Sequence, residues 1–171
     1  MNIIGKNTCI LSYTSTGDVE SAISRLQAQN FNLAAVSIIG NGCSQKEHTA
    51  GIYIKDKNIH FQGLQAIFWE KLWKQLKGKL FIELPGLGSL TAAGFIVQLL
   101  VKEHDEIDIH GFSALGTAFF IMGVPGESIT QYEAAIKAGK ILLIVNAARA
   151  EVERSCKILH SEKQQATVHL A

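Results

Sequence analysis

The segment KEHDEIDIH, residues 102–110, holds the densest group of side chains that could bind a metal ion. Its candidates are His104, Asp105, Asp108 and His110, because mixed imidazole and carboxylate ligands suit zinc or manganese. The spacing is not the HExxH pattern, which sets two histidines on one helical face, and no distant fourth ligand is evident. A charged, solvated loop between two apolar helices explains the same residues, and we favour that interpretation over a metal site.

A second group of titratable residues, Tyr132, Glu133 and Lys137, falls within about one turn of a predicted helix. Glu133 and Lys137 are four residues apart, so the sequence predicts a surface ion pair that is worth a few tenths of a kcal/mol. A proton-transfer role for Tyr132 has no support from its neighbours. The other histidines are scattered and indicate no site: His48, His60, His160 and His169.

The three cysteines, Cys9, Cys43 and Cys156, are odd in number, widely separated and contain no CxxC pair. This pattern argues against a disulfide framework and a structural zinc site, and it fits a reducing cytoplasm. Cys43 follows a GNG turn and could be exposed, but no neighbouring base activates it. We expect Cys9 and Cys156 to be small core residues. The sequence therefore predicts no catalytic residue and no cofactor.

The stretch LFIELPGLGSL could place a strand, a GxG turn and a helix N-terminus in the order that holds a phosphate group. The dinucleotide fingerprint, however, requires a third glycine where Thr91 stands, together with an acidic residue on the next strand of a βαβ unit. These features are missing. We therefore favour a tight turn with close helix packing.

Aromatic side chains concentrate near residues 61–73: Phe61, Phe68, Trp69 and Trp73. A ligand pocket would require convergent polar groups, whereas the charged residues between these aromatics indicate a solvated opposite face. We favour packing between helices or between subunits. The apolar residues that we expect at a subunit contact are Trp69, Trp73, Leu87, Phe95, Phe119 and Phe120.

The two ends of the chain each predict a strand, a helix and a second strand. At the start, residues 8–13 and 33–39 are short β-like runs, and between them Val19, Ile23 and Leu26 recur at helical spacing behind a capping box at Ser15 and Asp18. At the far end, residues 139–147 and the ATVHLA segment flank a second amphipathic helix. This pattern predicts an α+β, ferredoxin-like βαββαβ fold, in which two helices cover one face of a four-stranded antiparallel sheet.

Residues 43–138 form a large, mainly helical insertion between the second and third strands of a single domain, residues 1–171. The insertion opens with two β-like runs about a DKN turn. In the next segment Phe68, Leu72 and Leu76 predict one helical stripe, which Ile67, Trp69 and Trp73 widen. Three further helices are predicted. They cover residues 89–101, the GFSALGTAFFIM segment, and the SITQYEAAIKA segment with Ser128 as its N-cap.

The composition limits the classes of partner. The chain has 171 residues, of which 47% are hydrophobic, and a formal net charge of +1. A chain with so small a net charge has no strong electrostatic field to attract nucleic acid or an anionic membrane. We therefore predict no nucleic-acid binding. Residues 80–101 approach a membrane span in length, but Glu83 and the PGLG corner interrupt them. The remaining 13 or so residues would reach only about 20 Å, which is less than the ~30 Å of hydrocarbon.

Residues 60–159 resemble a family of bacterial general or heat-induced stress proteins with a domain of unknown function. The matching segments are FQGLQAIFWEKLW, ELPGLGSLTAAG and GFSALGTAFFIMGVPGESITQYEAAIKAGKILLIV. The resemblance implies a ferredoxin-like frame with a hydrophobic helical insertion, and it implies no established chemistry. Many relatives carry a glycine-zipper hairpin after the PGxG turn and are labelled membrane-associated. Here FIVQLLVKEHDEIDIH, which is shorter and charged, replaces that hairpin.

We therefore predict a cytoplasmic, stress-associated homodimer that acts by association and has no catalytic activity. The excess of apolar helix over what the predicted sheet can cover favours self-association. Two alternatives remain open. One is a small-ligand or metal-binding protein that uses a cleft between the sheet and the insertion, and the other is a peripheral membrane protein.

Overall fold

The protein is an α+β protein with one antiparallel sheet. The computed structural model describes residues 7–41, 66–76, 78–84, 87–105, 113–161 and 166–170. The strands are β1 (Asn7–Tyr13), β2 (Val36–Gly40), β3 (Lys79–Leu84), β4 (Gly88–Gly94), β5 (Ile141–Ala147) and the short β6 (Thr167–His169). The helices are α1 (Thr16–Ala28), α2 (Ala66–Gln75), α3 (Ile96–Asp105), α4 (Ala114–Ile121), α5 (Gly126–Lys137) and α6 (Arg149–Leu159).

The strands lie in the order β3-β4-β2-β5-β1-β6, and every neighbouring pair is antiparallel. The central strand is β5, in which Val145 lies opposite Cys9 of β1 on one side and Val36 of β2 on the other. Because β1 and β2 both run antiparallel to β5, they are parallel to each other, and α1 makes the crossover between them. The outermost strand β6 contributes three residues to the edge beside β1.

The predicted elements at both ends of the chain are confirmed, except that the strand predicted over residues 33–39 begins only at Val36, because Leu33–Ala35 forms a short 3₁₀-helix. Helix α1 begins after Ser15, whose hydroxyl accepts a hydrogen bond from the Asp18 N–H at 3.2 Å. Its apolar stripe, Val19, Ile23 and Leu26, is buried as its spacing indicated. The strongest predicted strand is β5, and six of its seven residues are buried. Local patterns suffice here because a central strand is apolar throughout and a covering helix shows one clear stripe.

The predicted four-stranded sheet is wrong in extent. The insertion adds the hairpin β3–β4 beside β2, so the sheet order is not that of a four-stranded ferredoxin-like sheet. The helix predicted over residues 89–101 is wrong in its first half, because Gly88–Gly94 is a strand, and its second half is confirmed by α3, which begins at Ile96. A short apolar run fits a buried strand as well as a helix. Pairing with β2 and β3 on both sides decides the conformation.

Helices cover both faces of the sheet rather than the one face that was predicted. Helices α1, α2 and α6 pack on the face that carries Leu11, Ile38 and Leu143, and this face forms one apolar core. Helices α3, α4 and α5 pack on the face that carries Ile39 and Ile144, which forms the second core. The insertion therefore supplies α2 to the first face of the sheet and α3, α4 and α5 to the second face.

Gly94 makes the sharp exit from β4 into α3. Its φ is +95°, and a Cβ atom there would lie 2.2 Å from the Val36 carbonyl oxygen, so only glycine fits. The Ser37 hydroxyl then accepts a hydrogen bond from the Ile96 N–H at 2.9 Å, at the first residue of α3. Strand β2 thus fixes both the turn at Gly94 and the start of α3.

Two local predictions in the insertion are corrected. Helix α5 begins at Gly126 behind Pro125, so Ser128 lies inside the helix and is not its N-cap. On α2 the stripe Phe68, Leu72 and Leu76 is buried as predicted, but Ile67 is 82% exposed and does not widen it. Among the described residues no helix is long and apolar enough to cross a bilayer.

Candidate functional site

Tyr132 of α5 and His169 of β6 form a hydrogen-bonded pair across the boundary between the insertion and the sheet. The Tyr132 hydroxyl oxygen lies 2.7 Å from His169 Nε2, and the two rings meet edge to face with centroids 5.8 Å apart. Both side chains are partly buried. The pair combines a phenol and an imidazole, each of which can donate or accept a hydrogen bond.

The surroundings hold both partners in their neutral forms. Burial raises the pKa of Tyr132 above its usual value, and an interaction with Thr167 partly opposes this shift. Burial lowers the pKa of His169, and the charge of Glu127 opposes that shift. With the imidazole neutral, the tautomer sets the direction of this bond: the tyrosine hydroxyl donates to an unprotonated Nε2 and accepts from a protonated one. Tyr132 and His169 thus form a neutral pair at the sheet edge, in which each side chain is the hydrogen-bond partner of the other.

A buried polar network lies on the same face of the sheet. The Thr8 hydroxyl donates to the Met122 carbonyl oxygen at 2.5 Å. The Asn146 amide donates to Thr8 Oγ1 at 3.1 Å, and to the carbonyl oxygens of Met122 and Asn7 at 3.2 Å each. Thr8 also lies opposite His169 in the β1–β6 ladder. These bonds fasten the end of α4 to the sheet beside the tyrosine–histidine pair.

Tyr132 and His169 lie in separate segments of the sequence, and no pattern predicts that they meet. They are 37 residues apart, and β5 and α6 lie between them along the chain. No sequence motif predicts this contact, because it forms only when β6 pairs with β1 and so comes close to α5. The predicted partner of the neighbouring Glu133 also differs: its carboxylate accepts from the Ser113 hydroxyl at 2.5 Å. No ion pair with Lys137 occurs among the described residues.

The predicted metal candidates are not brought together in the described part of the chain. His104 lies in the last turn of α3, where only the backbone is described, and Asp108 and His110 lie outside the described residues. Within the described ranges no group of three or more His, Cys, Asp or Glu residues could hold a metal ion. The predictions for Cys43, His48, His60, Phe61 and the hairpin about the DKN turn also lie outside the described residues.

The predicted contact residues differ in their accessibility. Trp69, Leu87 and Phe119 are buried within the chain itself. Trp73 and Phe95 are partly buried, and the Trp73 indole donates to the Ala92 carbonyl oxygen at 3.2 Å. Only Phe120, at 45%, is classed as exposed. Most of the apolar residues that predicted a subunit contact therefore pack in the two cores of the same chain.

The backbone of β3 is a second candidate site. Strand β3 pairs with β4 along all six residues, from Lys79 opposite Ala93 to Leu84 opposite Gly88. On its other side β3 has no strand neighbour among the described residues, and it ends the sheet there. A sheet edge of six residues carries backbone N–H and C=O groups that can accept another strand.

Cys9 and Cys156 occupy the core positions that the sequence predicted for them. Cys9 is buried, and Cys156 packs partly buried against the same core. Burial, followed in importance by the neighbouring Cys156, raises the pKa of Cys9 to about 12. A thiol in this state does not act as a nucleophile near neutral pH.

No protein-family model, curated protein or solved structure matches this chain.

Proposed function

We propose that this protein is a cytoplasmic, stress-associated protein that acts by self-association, as a homodimer joined through β3, and that it has no catalytic activity. The observation that carries the proposal is the six-residue sheet edge of β3 (Lys79–Leu84), which has a strand neighbour on one side only within the described residues. The stress-related role rests on the family resemblance alone. We also propose that strands β2, β5, β1 and β6 form a ferredoxin-like frame, to which the β3–β4 hairpin is an addition.

A second copy of the chain is the occupant that the sequence of β3 favours. Two identical edge strands can pair antiparallel about a twofold axis, which makes the contact closed and self-complementary. If the axis passes through Phe81, Lys79 stands opposite Glu83 of the second copy, and this oppositely charged pair occurs twice. Leu80 then stands opposite Ile82. Opposite charges and apolar residues in direct cross-strand positions both favour pairing.

Charge reversal tests this register. Lys79→Glu would set two carboxylates against each other at each end of the contact, so we expect the dimer dissociation constant to rise about ten-fold or more. The double variant Lys79→Glu with Glu83→Lys exchanges the charges and should restore the wild-type constant. Sedimentation equilibrium of the full chain measures both. Lys140→Glu, at an exposed position next to β5, is the matched control.

Two results contradict the proposal. One is a wild-type chain that sediments as an 18.6 kDa species throughout the micromolar range. The other is a dimer that Lys79→Glu weakens no more than Lys140→Glu does. Thermal unfolding of each variant shows whether the fold survives, and rescue by the double variant separates lost pairing from lost folding.

A second candidate function is small-ligand binding between the sheet and the insertion, and the Tyr132–His169 pair favours it. The pair lies between α5 and β6, its polar atoms are 2.7 Å apart, and both residues are only partly buried. A ligand that hydrogen-bonds to either ring would compete with the bond between them. Titration of the His169 imidazole NMR signals with a panel of small amides and carboxylates tests this candidate, and unchanged signals throughout the panel contradict it.

A further inference from the structure

A basic depression lies between the C-terminal parts of helices α1 and α6. These two helices cover the first core of the sheet. The residues that line it are Arg25, Ala28, Gln29, Arg154, Lys157 and Ile158, and its volume is about 430 Å³. Three of these six residues are cationic and none is acidic. The whole chain carries a net charge of only +1, so this concentration of positive charge is local.

Both guanidinium groups are held in place by the protein. Arg25 Nη2 donates to the Leu159 carbonyl oxygen at 3.3 Å. Arg154 donates to the Gln29 carbonyl oxygen, and its guanidinium carbon lies 5.5 Å from the centre of the Phe31 ring. A guanidinium fixed by carbonyl and aromatic contacts loses little further side-chain entropy when it binds an anion.

The fixed contacts leave positive charge for a ligand. Backbone carbonyls orient a guanidinium without neutralising it, and each guanidinium has five N–H donors. One carboxylate, Glu151, lies 3.3 Å from Arg154 Nη1 and offsets one charge. Lys157 is exposed in the last turn of α6 and can move its ammonium group toward a ligand. Two net positive charges therefore face the depression.

We propose that this depression binds the diphosphate group of a small soluble molecule. Fixed guanidinium forks match phosphate oxygens, and a mobile lysine adds a point charge, which together suit a compact polyanion rather than a single carboxylate. A volume of about 430 Å³ accommodates a diphosphate with an attached organic group. Cations near helix C-termini also balance the helix dipole, so the test must separate a ligand site from that structural role.

Isothermal titration of the full chain with inorganic pyrophosphate at low ionic strength is the direct test. We expect saturable binding that weakens as salt is added. Lys157→Gln should weaken binding about five-fold, because it removes one exposed charge contact. The matched control is Lys137→Gln, since Lys137 occupies the last turn of α5 and complements that helix dipole in the same way but does not line the depression. Its affinity for pyrophosphate should equal that of the wild type.

Three results overturn the proposal. They are an absence of saturable heat with wild-type protein, equal effects of Lys157→Gln and Lys137→Gln, and binding of inorganic sulfate as tight as that of pyrophosphate. Thermal unfolding in the presence of pyrophosphate supplies a second readout, in which Lys157→Gln should reduce the ligand-induced rise in Tm while leaving the unliganded Tm close to that of Lys137→Gln.

Discussion

The Tyr132 hydroxyl oxygen lies 2.7 Å from His169 Nε2, and this bond ties helix α5 to the edge strand β6. Because burial lowers the pKa of His169 in the folded chain, the unfolded chain binds a proton more tightly at this residue. The contribution of the neutral imidazole to stability is therefore complete above its ordinary pKa near 6.5, and it is lost as the pH falls from that value through the lower pKa of the folded chain.

We accordingly expect the stability difference between wild type and His169→Asn to shrink from about pH 7.5 to about pH 5.5, as measured by urea unfolding. Tyr132→Phe is the companion variant, because it removes the hydroxyl but keeps the histidine. It should cost about 1 kcal/mol at neutral pH and retain a pH dependence of the same sign. The prediction is contradicted if the difference in unfolding free energy between wild type and His169→Asn stays constant across this pH range.

Gly94 should tolerate no side chain. Gly94→Ala would drive its Cβ to 2.2 Å from the Val36 carbonyl oxygen and force the exit from β4 to move. Gly88→Ala is the matched control, since Gly88 also has a positive φ but a Cβ there meets nothing within 4 Å. We expect Gly88→Ala to cost about 1–2 kcal/mol of unfolding free energy, and Gly94→Ala at least about 2 kcal/mol more. Chemical unfolding measures both, and equal losses would show that the close approach is unimportant.

We expect Ser113 to contribute more to the free energy of unfolding than Ser128 does. Its hydroxyl accepts a hydrogen bond from the Gly116 N–H at 3.0 Å and donates to Glu133, so it caps α4 and joins it to α5. Ser113→Ala should lower the free energy of unfolding by about 1–2 kcal/mol. Ser128→Ala, inside α5, should change it by no more than about 0.5 kcal/mol. Thermal or urea unfolding of the two variants would refute this assignment if Ser128→Ala proved the costlier change.

Cys9 should resist alkylation in the folded protein. The thiol is buried and its pKa is raised to about 12, so both access and thiolate formation are suppressed near pH 8. Cys156 is partly exposed and should react with iodoacetamide faster. Peptide mapping by mass spectrometry gives the two labelling rates, and denaturant should raise the rate at Cys9 far more than the rate at Cys156. Equal native rates are the contrary result.

Much of the frame could be predicted from the sequence because its signals are local. The stripe of Val19, Ile23 and Leu26 and the Ser15 cap are contained in single segments, and both were confirmed. The LTAAG segment is different. Its small and apolar residues suit a helix or a buried strand, and the β2 and β3 pairings on either side, which lie outside the segment, make it β4.

The Tyr132–His169 pair and the basic depression were harder to predict than the frame, because each joins residues that are distant in sequence. Tyr132 meets His169 across 37 positions. Arg25 reaches the Leu159 carbonyl across 134 positions, which brings the cations of α1 and α6 to one depression. Such contacts carry no periodicity and no motif. The metal candidates His104, Asp108 and His110, by contrast, stood out in sequence only because they are close along the chain.

By itself the sequence determined the α+β class, the helices and strands at both ends of the chain, and the core position of Cys9, since apolar period and capping are properties of short segments. Tertiary structure alone decided that Gly88–Gly94 extends the sheet, that Phe119 packs in the chain's own second core, and that Tyr132 meets His169. The physical reason is that a strand acquires its hydrogen bonds from other segments, whereas a helix contains its own.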